Sequence, residues 1–270
     1  MSEKKAYTIY LHAITPVHAG TGQVSASVID LPIAREKATN WPMLPGSSLK
    51  GVFRSRSPEK ERLYGTPGQQ AEVQLGDARV LFFPVRSWRG VFAYATCPLA
   101  LRRMARDFAA LGAPLAFPTA AIPADPGDAG ASIAKSSVLE DRGVVWLDDL
   151  KLSAERCLPE DLVTGVAHAV FPDDAQSQGS FCARCILLSN SVFDFLCETA
   201  TEVTARVSLN EETKTVKRGG LWYEEAVPAE TVFVLPALGP ALPAVSGSVV
   251  QIGGNESVGR GLCRVTVASS

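Results

Sequence analysis

The sequence predicts an α+β fold, and three observations carry that prediction. Apolar and polar residues alternate over Tyr7–Ala13 (YTIYLHA) and again over Val203–Leu209, the period of a half-buried strand. Leu101, Met104, Phe108 and Leu111 instead recur at helical spacing, with Arg102, Arg103 and Arg106 on the other side. Across the first 111 residues such segments run strand, helix, strand, strand, helix, the opening of a split βαβ, ferredoxin-like pattern. With 270 residues and 46% hydrophobic content, the chain can build one large core or a core domain with sizeable insertions.

Taken in order, the first strand gives way to a loop, TPVHAGTGQ. Val28 and Ile29 then lead to Asp30 and a proline-punctuated stretch, LPIAREKATNWPMLP. Pro45 and Gly46 break the chain, Ser47 stands where a cap is needed, and Leu49, Val52 and Phe53 fall at i, i+3 and i+4. GSSLKGVFRSRS is therefore a short amphipathic helix whose Lys50 and Arg54 share the face away from the core. Residues 79–95 read as two strands around an arginine-bearing turn, and the stripe from Leu101 to Leu111 is the next helix.

Residues 112–180 are rich in proline, glycine and aspartate and poor in periodicity, so they read as an insertion lobe with little core of its own. The core then divides into 1–111, its first part, and 181–270, its remainder. In the latter, Ile186–Leu188 is apolar and Ser191 is placed to cap a helix through Phe195. NEETKTVKRGGLWYEE, about 209–226, is a charged excursion with the look of a protruding hairpin. TVFVLPAL and VSGSVVQIGGNESVGRGLCRVTV supply the closing strands, with a glycine-rich loop at 252–261 before the last. No repeat of 20 to 50 residues is visible, which argues against a solenoid.

Net charge is −2, so no global basic field advertises a polyanion. Arg79, Arg86, Arg89, Arg102, Arg103 and Arg106 nevertheless form a run free of acids, while 125–174 carries eleven acids against Lys135, Arg142, Lys151 and Arg156. Opposed patches suit a subunit that binds an anion on one face and stacks on a copy or neighbour; two unlike solvated surfaces would read the same way. No apolar run approaches the ~20 residues of a membrane helix and no signal peptide is visible, so a cytoplasmic protein without membrane contact is expected. The six cysteines read as reduced thiols. Cys182 and Cys185 form a lone CxxC, for which zinc would need a second pair or histidines, and His168 is the nearby candidate.

Several stretches offer chemistry. The glycine-rich loop precedes a strand, whereas a dinucleotide-binding loop follows one and opens a helix, which argues against a nucleotide-dependent dehydrogenase. Gly253, Gly254, Gly259 and Gly261 allow close approach of an anionic backbone, and Arg260 adds charge. The helix start at Gly46, Ser47 and Ser48, with Lys50 and Arg54, favours an anion through its free N–H groups. Lys214, Lys217 and Arg218 followed by Trp222 and Tyr223 suit a wedge that touches phosphates and stacks on a base, or else a solvated charged hairpin. His18 suits an acid–base role, a loop cap or base stacking. His12 alternates within a strand and reads as structural, and Asp30 by itself reads as a turn residue.

Together "TPVHAGTG", "VIDLPIARE", "PGSSLKGVFR", "NEETKTVKRGGLWYEE" and "IGGNESVGRGLCRV" resemble the RAMP proteins of CRISPR effector complexes, and among them the backbone subunits of type III-B complexes. The resemblance implies an RRM-like core, or palm, with inserted fingers and a protruding thumb. It implies copies polymerised head to tail along a CRISPR RNA, each thumb kinking the guide–target duplex, beside the other subunits of such a complex. It also implies metal-dependent cutting of target RNA, with the essential aspartate of the VIDLP stretch at Asp30 holding Mg²⁺ or Mn²⁺. One carboxylate is a poor cage, so RNA oxygens would complete the site. Glu224 and Glu225 could assist the ion or merely end a strand, and Arg86 and Arg89 would lie near RNA. Two other functions stay open: a non-catalytic RAMP scaffold, or a guide-processing RAMP endoribonuclease that works without metal and leans on histidine.

Overall fold

Strand β1 (Lys5–Ala13) sets the plan of the molecule, because its two faces enter different cores. Tyr7, Ile9, Leu11 and Ala13 join one hydrophobic cluster; Ala6 and Tyr10 join another on the opposite side. The alternation is present, but both faces are buried, as in a central strand. The computed structural model describes residues 4–20, 22, 28–240, 242 and 245–269; Thr21 and Gln23 of the TPVHAGTGQ loop fall outside this set.

The chain continues through β2 (Met43–Leu44), α1 (Gly46–Arg56), α2 (Lys60–Tyr64), β3 (Gln74–Leu75), β4 (Ala78–Arg86), β5 (Phe92–Thr96) and α3 (Pro98–Leu111). Next come β6 (Gly130–Ile133), β7 (Glu140–Asp141), β8 (Val144–Leu147), β9 (Leu150–Glu155), α4 (Glu160–Val170), α5 (Ala175–Arg184), β10 (Cys185–Leu188) and α6 (Asn190–Thr199). A hairpin of β11 (Glu202–Leu209) and β12 (Val216–Ala226) follows, then β13 (Val232–Gly239), β14 (Val249–Gln251) and β15 (Leu262–Ser269). Among the described residues, 13 strands form one mixed sheet, ordered β14-β15-β1-β13-β4-β5-β10-β6-β9-β8-β7, with β2 on β4 and β3 on β13. β10 lies parallel to β5, and β6 parallel to β9. The sheet is thus far wider than a simple split-βαβ unit. Helices α1, α2 and α6 cover the face of Leu11, while α3, α4 and α5 cover that of Tyr10.

Several local expectations are corrected. Ser47 is exposed in the first turn of α1 and caps nothing; Pro45 holds the N-cap position, and Asp77 Oδ1 accepts from the Gly46 N–H at 2.7 Å. For α6, Ser189 rather than Ser191 is the cap, its Oγ accepting from Val192 N–H at 3.1 Å. The 112–180 stretch, expected to carry little core, supplies the sheet's far edge and the buried α4 residues Leu162, Val163, Val166, Ala167 and Val170. Its strands run two to six residues, too short for a periodic signal to stand out.

The arginine run is largely neutralised within the molecule. Arg79 pairs with Glu36 at 3.3 Å and Asp107 at 2.6 Å, and Arg103 grips Glu36 at 2.8 and 2.9 Å. Arg106 holds Asp107, and exposed Arg89 reaches Asp141 of the acidic stretch at 3.2 Å. The two oppositely charged regions therefore meet partly within one chain.

Phe233, the second residue of β13, which lies between β1 and β4, is fully buried. Phe233→Ala is expected to cost about 3–5 kcal/mol in urea unfolding, while Leu111→Ala, at the 40% exposed end of the α3 stripe, stays within about 0.5 kcal/mol.

Candidate functional site

Strand β12 organises the site. Along one edge it pairs with β11; along the other, near its C-terminal end, the 30–33 segment runs beside it. Leu31 N–H donates to Tyr223 O at 3.1 Å, and Glu225 N–H donates to Leu31 O at 3.0 Å. Pro32, which has no N–H, sits between Leu31 and Ile33, whose N–H groups are both used. Asp30 then lies at the hairpin base, its Oδ2 accepting from Tyr223 N–H at 2.7 Å.

Glu225 secures this arrangement. Its carboxylate, 3% exposed, takes Arg35 Nη2 at 2.6 Å, Thr201 Oγ1 at 2.9 Å and Ile33 N–H at 3.1 Å. Arg35 also donates to Cys197 O and Asn40 O, at 3.1 and 2.8 Å. Next along the chain, Glu36 is held below the usual carboxylate range: burial pushes its pKa up, but Arg103, Thr39 and Arg79 outweigh that. The charged pair closing VIDLPIARE is thus an anchor, with Arg35 on the hairpin base and Glu36 on α3 and β4. Glu225, weighed as a helper for a metal, is committed to Arg35.

His18 enters from the loop after β1. Its Nδ1 lies 2.6 Å from Glu225 O; a carbonyl only accepts, so Nδ1 carries the proton and Nε2 is the basic nitrogen of the neutral ring. His18 O accepts from Gly254 N–H at 2.9 Å, which joins the glycine-rich loop to the same cluster. Gly253, at φ +84°, leaves no room for a side chain, because a Cβ there would stand 2.2 Å from His18 O. Gly261, also at φ +84°, is confined in the same way by Ile252 O. Gly254 has only ordinary contacts, and Gly259 has open space around it.

Arg260 departs from expectation. It is 9% exposed and turns under the hairpin, donating from Nη2 to Thr204 Oγ1 at 3.2 Å, while its Nη1 is buried without a partner among the described residues. Glu224, buried beside it, accepts from Asn255 Nδ2 and lies 3.3 Å from Arg206 Nε. Burial raises the pKa of Glu202, partly offset by Arg260. Trp222 is half-buried opposite Arg206, on this inner face. Val203, Val207, Leu209, Val216, Leu221 and Tyr223 are exposed on the other face.

The structure therefore gathers Asp30, His18, Gly253, Gly254, Gly261, Arg260 and Trp222 around the hairpin base. It does not bring Gly46, Ser47, Ser48, Lys50 and Arg54 there: they belong to α1, where Ser47, Lys50 and Arg54 line a cleft facing the end of α2 and the turn after it. Lys214, Lys217 and Arg218 are exposed at the far end of the hairpin. Sequence reasoning passed over Arg35, Asn255 and Arg206; the one signal for Arg35 was an adjacent Arg–Glu pair inside an otherwise apolar stretch. Among the described residues no three His, Cys, Asp or Glu side chains gather as a metal cage, and Cys185 of the CxxC is buried with its thiol pKa pushed well up by desolvation.

A mixed sheet with a projecting hairpin and a glycine loop at its base defines a class, and sequence comparison agrees. The chain belongs to the RAMP superfamily, whose model matches residues 10–264. It is similar to the CRISPR system Cmr endoribonuclease Cmr4 of Pyrococcus furiosus, 35% identical over 97% of this chain and 96% of that protein. A second relative, the CRISPR system CMR subunit Cmr4 of Saccharolobus solfataricus, is 24% identical over 94% of this chain and 93% of its own. The fold matches crystalline oligomeric Cmr4 from P. furiosus with a TM-score of 0.76 at 29% identity, over 98% of both chains. It also matches a chain of the type III-B Cmr-β complex bound to cognate target RNA, with a TM-score of 0.77 at 21% identity, over 97% and 96%.

Glu225→Ala leaves Arg35 buried and unpaired, so urea unfolding is expected to show a loss of about 3–5 kcal/mol, partly recovered in an Arg35→Met, Glu225→Leu double variant. Glu36, with its folded pKa below the unfolded value, stabilises fully above the ordinary carboxylate range. That stabilisation is lost as pH falls through the range to the depressed folded pKa. Glu36→Gln is therefore expected to flatten the acid limb of stability against pH, measured by thermal unfolding at a series of pH values.

Proposed function

We propose that this chain is an RNA-binding backbone subunit of a type III-B CRISPR effector complex, and that it cuts target RNA paired to the guide at Asp30. The observation that carries this reading is the bond between Asp30 and the Tyr223 N–H, which fixes a carboxylate at the hairpin base beside His18 and the glycine loop. In this reading the wide sheet contains the ferredoxin-like palm and the hairpin is the thumb. Its apolar outer face and cationic tip enter the duplex, Lys214, Lys217 and Arg218 meeting phosphates. Head-to-tail stacking of copies along the guide is a heterologous contact, which makes open filaments rather than rings.

Cutting an RNA phosphodiester requires an activated oxygen and neutralised charge at phosphorus. Asp30 spends Oδ2 on a backbone N–H, and its second oxygen is the hard ligand the chain offers a Mg²⁺ or Mn²⁺ ion, with phosphate oxygens and water filling the other positions. When bound, such an ion supplies Lewis acidity and charge neutralisation. The chain's own part is to hold that carboxylate still and to present His18 Nε2, the basic nitrogen, as a proton acceptor nearby. Gly259 leaves room for the RNA backbone to approach.

The test is the complex reconstituted with a guide and a complementary labelled RNA. Asp30→Asn is expected to assemble and bind target within about twofold of wild type and to lower cutting by about a hundredfold or more, the scale of losing a central catalytic group. Full cutting by Asp30→Asn would remove the assignment, and cutting by the wild type in EDTA would favour metal-free chemistry at His18 instead.

A further inference from the structure

A cleft of about 530 Å³ lies between the end of β4, the segment after α6 and the turn that leads into β13. That volume falls within the ~300–1,000 Å³ of small-molecule sites. Its wall is fixed from within: Asp148 N–H donates to Arg86 O at 3.0 Å, and Trp88 Nε1 donates to Asp148 O at 3.1 Å. The shape is also strained. Val91, Asp148 and Glu230 all line the cleft, at φ +76°, +45° and +73°. L side chains avoid that region, a β-branched valine most of all. Strain of this kind collects where the geometry has a use.

Glu230 is the best prepared of the lining groups. Its Oε2 accepts from His12 Nε2 at 3.0 Å and from the Tyr94 hydroxyl, two side chains that are themselves buried. Burial pushes the Glu230 pKa up, but His12 and Tyr94, with the charge of Arg184, outweigh that and hold it below the usual carboxylate range. Its Oε1 has no partner among the described residues, and the side chain is 40% exposed, so the free oxygen is open to solvent. Arg86 is exposed and Asp148 half-buried, and among the described residues neither side chain has a partner. Arg184 lies over the Phe92 ring but outside the lining, donating to Gly90 O at 2.8 Å and Ser180 Oγ at 2.7 Å. One exposed arginine says little by itself. Here it shares a preformed cleft with a carboxylate that two buried donors orient.

The open charges name the ligand class. The cleft offers two carboxylates, Glu230 and Asp148, and one guanidinium, Arg86, with half-buried Pro84 and Phe92 as apolar surface. A simple anion would meet Arg86 but stand against both carboxylates, and a simple cation would leave Arg86 unmet. The complement is a molecule with two cationic groups and one carboxylate on a short methylene chain. We propose that this cleft binds a free basic α-amino acid of the lysine or arginine class. Its α-carboxylate meets Arg86, its two cationic groups meet Glu230 and Asp148, and its methylenes lie against Pro84 and Phe92. This site is independent of the RNA chemistry proposed above.

Calorimetric titration of the full chain with L-lysine, L-arginine, L-leucine, L-argininamide and Nα-acetyl-L-arginine tests this. Wild type is expected to bind lysine or arginine at one site. Leucine, which lacks the side-chain cation, the amide, which lacks the carboxylate, and the acetyl derivative, which lacks the α-cation, should each bind about tenfold or more weakly, the loss of one charge-assisted hydrogen bond. Arg86→Met and Glu230→Gln should each weaken binding of the basic amino acid by a similar factor. Asp148→Asn should remove the preference over leucine. Arg86→Met replaces an exposed side chain and should unfold at the wild-type temperature, which separates lost binding from lost structure. No binding of lysine or arginine at millimolar concentration, leucine bound as tightly as either, or an affinity unchanged in both Arg86→Met and Glu230→Gln would overturn the proposal. Asp30→Asn should keep this binding, so the cleft and the cutting site fail independently.

Discussion

The candidate site depends on one buried carboxylate. Glu225 receives Arg35, Thr201 and the Ile33 N–H, while its own backbone binds Leu31 and His18. A charge so far from water is tolerated only when its lone pairs are met, and here a guanidinium, a hydroxyl and an amide meet them. The partners come from the 28–36 loop, the segment after α6 and the loop after β1, so one residue, by side chain and backbone together, fastens three separate stretches to the hairpin base. Asp30 gains its position from this arrangement, its single bond to Tyr223 being the last link of a ladder that Glu225 has already registered.

What was legible in the sequence follows from range. β1, the α3 stripe, the strands around the arginine turn and the hairpin all announce themselves through periodicity within about ten residues, and all are present. The sheet beyond β10 does not, because β6 and β8 have four residues each and β7 two, so no alternation can accumulate. Caps failed for a related reason. Ser189 and Ser191 are equivalent as residue types, and only backbone geometry places the oxygen of Ser189 on the Val192 N–H. The resemblance singled out Asp30 and the glycine loop, the chemistry of histidine singled out His18, and the fold brings these together. It could not show that Arg260 faces inward, since that depends on β11 crossing above the loop.

Charge leads to a related lesson. Six arginines without an intervening acid read as a polyanion surface, yet Glu36 and Asp107, outside the run, neutralise three of them and Asp141 a fourth. Cations facing outward include Lys214, Lys217 and Arg218 on the hairpin and Arg86, with Lys50 and Arg54 half-buried at the α1 cleft. From Lys217 to Tyr223 is six residues of strand, about 20 Å at ~3.3 Å per residue. The hairpin cations therefore stand well apart from Asp30, which bonds the Tyr223 N–H.

The glycine loop divides its labour along the same lines. If all four glycines served an external backbone, each would have space where its side chain is missing. Gly253 and Gly261 do not: their missing Cβ positions are filled by His18 O and Ile252 O, so their freedom is spent on closing the loop against the strand and the His18 turn. Gly254 packs against the His18 ring at ordinary distance and Gly259 has open space, so a backbone from outside could approach at Gly259. With Arg260 turned inward, any charge holding that backbone must come from elsewhere. In the proposed reading the loop is a spacer of fixed shape, and the hairpin cations and the Asp30 carboxylate would act on a strand placed against it.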